Sequence, residues 1–146
     1  AHMPSRFFLA PNEGKTLNVL GDRVRLLAPS ATHDHAFEVL EVRGGLGSGP
    51  PLHSHPWPEA YFVVSGQMEV TVDDESRIVG AGDYVAVPAN ADHSYKVISD
   101  EVHFLSVAPG HSAGAFFADM DANVPFPPES MDSVMAVAAR HSVSFA

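Results

Sequence analysis

Gly47-Ser48-Gly49-Pro50-Pro51-Leu52-His53-Ser54-His55-Pro56-Trp57-Pro58-Glu59-Ala60-Tyr61-Phe62-Val63-Val64-Ser65-Gly66 is the stretch on which the fold turns. In an extended chain alternate side chains share a face. His53 and His55 therefore point the same way, ~6.5 Å apart along the strand, and both imidazoles can lean toward one ion. Glu59 has the same parity. Pro56 and Pro58 have no N–H to give to a sheet ladder, so this part reads as an edge or a kinked connection, which weakens the parity argument for Glu59. A second segment, Gly82-Asp83-Tyr84-Val85-Ala86-Val87-Pro88-Ala89-Asn90-Ala91-Asp92-His93, brings a third imidazole to the start of another strand.

Outward from these segments, β-forming runs alternate with turn residues. The spacing predicts strands over Ala36–Val42, Glu59–Val64, Gln67–Val72, Ser76–Val79, Tyr84–Val87, His93–Ile98 and Val102–Val107. Gly44-Gly45-Leu46-Gly47, Ser65-Gly66, Asp73-Asp74, Gly80-Ala81-Gly82-Asp83 and Ser99-Asp100 break the runs with turn chemistry. Many short strands at this spacing indicate an all-β barrel or sandwich. Residues 4–30 read as an N-terminal arm with short strands at Leu17–Leu20 and Val24–Leu27, turning at Gly21-Asp22. Residues 112–142 read as helical: Ser112 is expected to cap a helix to Met120, and Ser130 a second one to about His141. Pro125, Pro127 and Pro128 join them as an extended linker. Both helices are expected across the outside of the barrel. Ala1-His2-Met3 is expected to be a remnant of tag removal, and residues 4–146 one domain with its core at about 33–108.

Three neutral imidazoles and a carboxylate form a mixed nitrogen and oxygen donor set. Such a set suits Fe(II), Mn, Co, Ni or Zn, with one or two positions open to water or substrate. His33 and His35, two residues apart before one strand, and His103, on the last strand in phase with Leu105 and Val107, are further candidates. Any of these can complete the ligand set in place of Glu59, or act as acid or base beside the ion.

The chain has 146 residues, no cysteine and a formal charge of −10. Disulfides, thiolate metal sites and a cysteine nucleophile are thereby excluded. Nucleic acid and anionic membranes are not expected partners, because the surface charge repels them. No run of apolar residues is long enough to cross a bilayer, and no leader is evident, so a cytoplasmic location is expected. Arg43 and Lys96 are the main cations near the two motifs. A pocket so poor in cations, with Trp57, Tyr61, Phe37, Phe62, Phe104 and Met68 as candidate lining, suits a neutral apolar or aromatic molecule.

The two segments resemble the cupin motifs. Gly47, His53, His55, Glu59 and Gly66 fit G-x5-H-x-H-x3-E-x6-G at every spacing. Gly82, Pro88 and His93 fit the second motif, with Asn90 where glycine is usual and Val97 where asparagine is usual. Asn tolerates the left-handed conformation, so the first departure is mild. The resemblance covers about residues 35–108. It implies a jelly-roll barrel and one divalent metal ion, zinc being favoured, held by His53, His55, Glu59 and His93. It also implies a homodimer. Small cupins with a C-terminal helical extension are similar to two enzyme groups, the cyclases of bacterial aromatic polyketide pathways and the quercetinase-like dioxygenases. The resemblance thus implies first a metal-dependent cyclase, then a dioxygenase on a flavonol or related phenol, and third a non-catalytic small-molecule binder. His53, His55, Glu59, His93, His35 and His103 are the candidate catalytic residues.

Overall fold

Alternation of buried and exposed side chains along the strands builds two walls with a common interior. The computed structural model describes residues 7–28 and 36–146; His33 and His35 lie outside them. Six strands form the larger sheet, in the order β1 (Thr16–Val19), β2 (Asp22–Ala28), β3 (Phe37–Gly45), β10 (Glu101–Pro109), β5 (Glu59–Ser65) and β8 (Tyr84–Val87). The smaller sheet runs β11 (Ser144–Phe145), β4 (His53–Ser54), β9 (His93–Val97), β6 (Gln67–Val72) and β7 (Glu75–Gly80). All pairings are antiparallel. On β3, Glu38, Leu40, Val42 and Gly44 face inward; on β10, Val102, Phe104, Ser106 and Ala108 do. Leu40, Val63, Met68, Val97 and Val102 are fully buried between the two sheets. The all-β jelly-roll expectation holds.

Two features of the fold bear on the site. The N-terminal arm is part of the chain's own barrel: β2 pairs with β3 over Arg23↔Arg43 to Ala28↔Val39. Its strands continue the inward alternation with Leu17, Asp22 and Val24, all buried. Of the two helices, α1 (Ser112–Asn123) and α2 (Met131–Arg140), the first does more than cover the outside. Phe116, Phe117 and Met120 of α1 form one wall of the interior cavity.

The start of α1 explains why Ser112 is not its cap. His111 stands at the cap position with no side-chain cap bond. Instead the buried Glu38 carboxylate, from β3, accepts from the Gly114 N–H at 3.1 Å. An acceptor from the sheet thus satisfies a free amide of the first turn and places negative charge at the positive end of the helix. Gly114 permits this approach, because a Cβ there would overlap a Glu38 carboxylate oxygen. Ser130 does cap α2, its Oγ accepting from the Asp132 N–H at 3.3 Å. Asp119 of α1 receives Arg140 and His141, each at 2.8 Å at closest, and so ties the two helices together.

Turn chemistry follows the motif reading. Asn90 sits at φ +67°, the left-handed conformation anticipated for it. Gly66 (φ +79°) passes so close to β10 that a Cβ would collide with the Glu101 carbonyl oxygen. The tight hairpin between β5 and β6 therefore requires glycine.

Candidate metal centre

His53 and His93 face each other as partners in the β4–β9 pair. His55 follows two residues later, just beyond β4. One ligand nitrogen from each of the three rings lies within 4.8 Å of the others. His55 and His93 are buried and His53 is half-buried. Each ring is aimed by its other nitrogen. Nδ1 of His53 meets the Pro51 carbonyl at 2.9 Å, that of His55 the Trp57 carbonyl at 2.8 Å, and that of His93 the Ala91 carbonyl at 2.9 Å. Opposite a carbonyl only a protonated nitrogen bonds, so all three Nδ1 atoms carry N–H. Three Nε2 atoms are thereby left for a common cation, the tautomer arrangement that metal-ligating histidines adopt.

Glu59 reaches this cluster by crossing between sheets. His53 belongs to the small sheet, whereas Glu59 opens β5 in the large one. Pro56-Trp57-Pro58 carries the chain across, so Glu59 comes to face the imidazoles from the opposite wall, not by parity along one strand. Its Oε1 lies 3.0 Å from His93 Nε2 and 3.6 Å from His55 Nε2. The Tyr61 hydroxyl donates to the same oxygen at 2.6 Å, and Ser106 Oγ approaches Oε2 at 3.5 Å.

Electrostatics split the cluster. Burial pushes the Glu59 carboxyl up, but the His55 and His93 rings and the Tyr61 hydroxyl outweigh it and hold the group well below the usual carboxylate range. Burial drives His53 down to about 4, helped by the neighbouring His93. His93 moves the other way: burial opposes its charge, yet the bond to Glu59 raises it.

His53, His55, Glu59, Tyr61 and Ser106 line a cavity of about 90 Å³, with His93 buried beside it. Aromatic rings dominate its lining, among them Trp57, Tyr61, Tyr95, Phe104, Phe116 and Phe145. No Lys or Arg lines it among the described residues. Trp57 stacks on His55, ring centroids 4.2 Å apart and 9° from parallel. Its Nε1–H is buried with no acceptor among the described residues.

Other candidates lie elsewhere. His103 was expected to be able to reach the pocket; it faces outward instead, with Nε2 2.8 Å from Glu41 Oε2, because Phe104 and not its neighbour takes the inward parity of β10. Phe37 and Phe62 are exposed on the same outer face, and Met68 is core. The sequence reading missed Asp22, Tyr95 and Ser106, and the contribution of α1 and β11. Ser106 carried a signal, being the one polar residue in phase with Val102, Phe104 and Ala108. Asp22 carried none, since aspartate after glycine reads as an ordinary turn.

The family model for the cupin domain matches residues 38–108. Residues 38–108 are a cupin domain. A quercetin 2,3-dioxygenase of Bacillus subtilis is 30% identical to this cupin over 101 residues, 68% of the chain but only 30% of the relative's length. Among solved structures, the polyketide cyclase RemF of Streptomyces resistomycificus superposes with a TM-score of 0.63 at 20% identity, covering 71% of this chain and 79% of that one. An RmlC-like cupin of Shewanella frigidimarina gives 0.63 at 18% identity, covering 74% and 95%. At these identities the structural likenesses show the fold alone.

Proposed function

We propose that this cupin is a metal-dependent polyketide cyclase that closes a ring in a poly-β-ketone by aldol-type condensation. The observation that carries the reading is the meeting of three imidazoles and Glu59 beside an apolar cavity that His53, His55 and Glu59 line and that no described Lys or Arg lines. His53, His55 and His93 would hold the ion, with Glu59 as fourth ligand or as base beside it. A bound divalent ion, zinc for preference, supplies Lewis acidity at a ketone oxygen and so acidifies the methylene between two ketones.

The residues supply the rest. Glu59 takes the methylene proton, its carboxylate kept ionised by the imidazoles and fixed in direction by Tyr61. The resulting enolate carbon attacks a second ketone carbon of the same chain. A C–C bond forms, the new alkoxide takes up a proton, and loss of water completes the ring. Trp57 offers its unmet N–H to an oxygen of the bound chain. The aromatic lining excludes water and selects the folded conformer in which the reacting carbons meet.

The second reading is a dioxygenase of a phenolic substrate, favoured by the 30% identity to the Bacillus enzyme.

The test uses the zinc-loaded protein under argon with a synthetic poly-β-ketone thioester, and the protein in air with quercetin. We expect a ring-closed product lacking one water under argon, absent with Glu59→Gln, and no oxygen uptake with quercetin. Quercetin-dependent oxygen uptake with no anaerobic ring closure would replace the cyclase with the dioxygenase.

A further inference from the structure

The cavity has a second carboxyl that the metal chemistry does not use. Asp22, the first residue of β2, lines the cavity and is only 5% exposed. Tyr95 donates its hydroxyl to Oδ2 at 2.5 Å, and Ser48 donates to Oδ1. No Arg, Lys or His pairs with it among the described residues.

Three segments are shaped around this group. Gly44 on β3 lacks the Cβ that would sit 2.7 Å from Oδ1. Gly49, at φ +150°, brings the Ser48 loop so close to β9 that a Cβ there would overlap the Tyr95 carbonyl. Tyr95 lies two residues beyond His93 on β9, on the same face. Its ring meets Phe104 edge-on at 5.2 Å, as does that of Tyr61, and the two tyrosine rings are 6.3 Å apart. The cavity therefore holds two tyrosine–carboxyl pairs, Tyr61–Glu59 at the imidazoles and Tyr95–Asp22 apart from them, joined by one aromatic cluster.

A tie between the two sheets needs only a neutral acceptor. A buried carboxyl costs more than an amide in that role unless something uses its extra capacity. Ser48 and Tyr95 take one acceptor position on each oxygen, so each oxygen keeps another. Burial raises the Asp22 carboxyl, against the two hydrogen bonds that lower it.

We propose that Asp22, held by Ser48 and Tyr95, is a second polar anchor of the cavity that accepts a hydrogen bond from an enol or phenol hydroxyl of the bound molecule. The substrate class narrows to apolar molecules with two oxygen functions, one for the imidazole cluster and one O–H for Asp22. This deepens the proposed function and rests on the same cavity serving as its substrate site.

Calorimetric titration of the metal-loaded protein with phenol, resorcinol and hydroquinone tests it. Wild type should bind one of the two diols about tenfold tighter than phenol, the span of one net hydrogen bond. Asp22→Asn should lose that preference and keep its phenol affinity and metal content. Equal affinity for phenol and both diols in wild type, or an Asp22→Asn protein with lower melting temperature but an unchanged preference, would overturn the anchor and leave a structural tie. Where the variant does not fold, the wild-type Asp22 carboxyl ¹³C resonance decides. It should move on saturation with the preferred diol and not with phenol; a resonance indifferent to both counts against the proposal. Metal content, measured on the same samples, reports the imidazole site separately: failure there with the diol preference intact sinks the metal reading and not the anchor.

Discussion

At the scale of single residues, the site works by division of labour among similar side chains. His53, His55 and His93 are each aimed through Nδ1 by a backbone carbonyl two residues away, and only Nε2 is left for chemistry. His103 has the same ring but spends Nε2 on Glu41 outside the barrel. We therefore expect His103→Gln to retain metal content and turnover within about twofold, as surface changes away from a site usually do. Glu59→Gln should cut turnover by about 10²–10⁴, the span of a lost general base, with the protein still folded. Steady-state assay of the two variants beside wild type checks both. His-x-His was legible in the sequence because the period of a strand is two. Asp22 was not, because nothing local separates a turn aspartate from one that a serine and a tyrosine, 26 and 73 residues away, enclose.

At the scale of elements, the site depends on segments that sequence periodicity reads poorly. β4 is two residues long and β11 another two, too short for any alternation to register. Yet Phe145 of β11 pairs with His53, and the Ala146 N–H donates to the Leu52 carbonyl at 3.0 Å, so the chain's last residues hold the first imidazole in place. Truncation after Ser142 should weaken metal binding at least tenfold while leaving the β-sheet circular dichroism signal near wild type. Chelator competition measures the first and far-ultraviolet spectra the second. The long strands were legible to within a few residues, since Gln67–Val72 and Tyr84–Val87 have strong β-formers and clear turn residues at their ends. The role of α1 was not, because helical periodicity shows that one face is buried but not that it closes a cavity.

At the scale of the whole molecule, acid should act on the cluster before it acts on the surface. His53 titrates near 4 in the fold against 6.5 when unfolded. Between those values the unfolded chain binds the extra proton, so stability falls as pH drops through that window. Glu59, held low, adds a loss in the same direction below its ordinary 4.5. His93 opposes both: its raised value contributes stability below 6.5 that is lost as pH rises. In chelator-treated protein the melting temperature should fall from pH 6.5 to 4, and His53→Gln should flatten that part of the curve. The outer face of the large sheet also bears on the whole molecule. Phe37, Phe62, Val64, Tyr84 and Val107 are exposed there on neighbouring strands, an apolar face of the kind that marks association. With the expected homodimer, Phe62→Glu should shift the protein toward monomer in sedimentation velocity at equal concentration. No described helix is long and apolar enough to cross a membrane.

The most direct measurement is a crystal structure of the metal-loaded protein with anomalous diffraction collected on both sides of the zinc absorption edge. The account predicts one anomalous peak per chain, ~2.0–2.1 Å from a ring nitrogen of each of His53, His55 and His93, with Glu59 beside it. No peak among the three rings, with His93 still bonded to Glu59 and protein-bound zinc absent from the same sample, would contradict it.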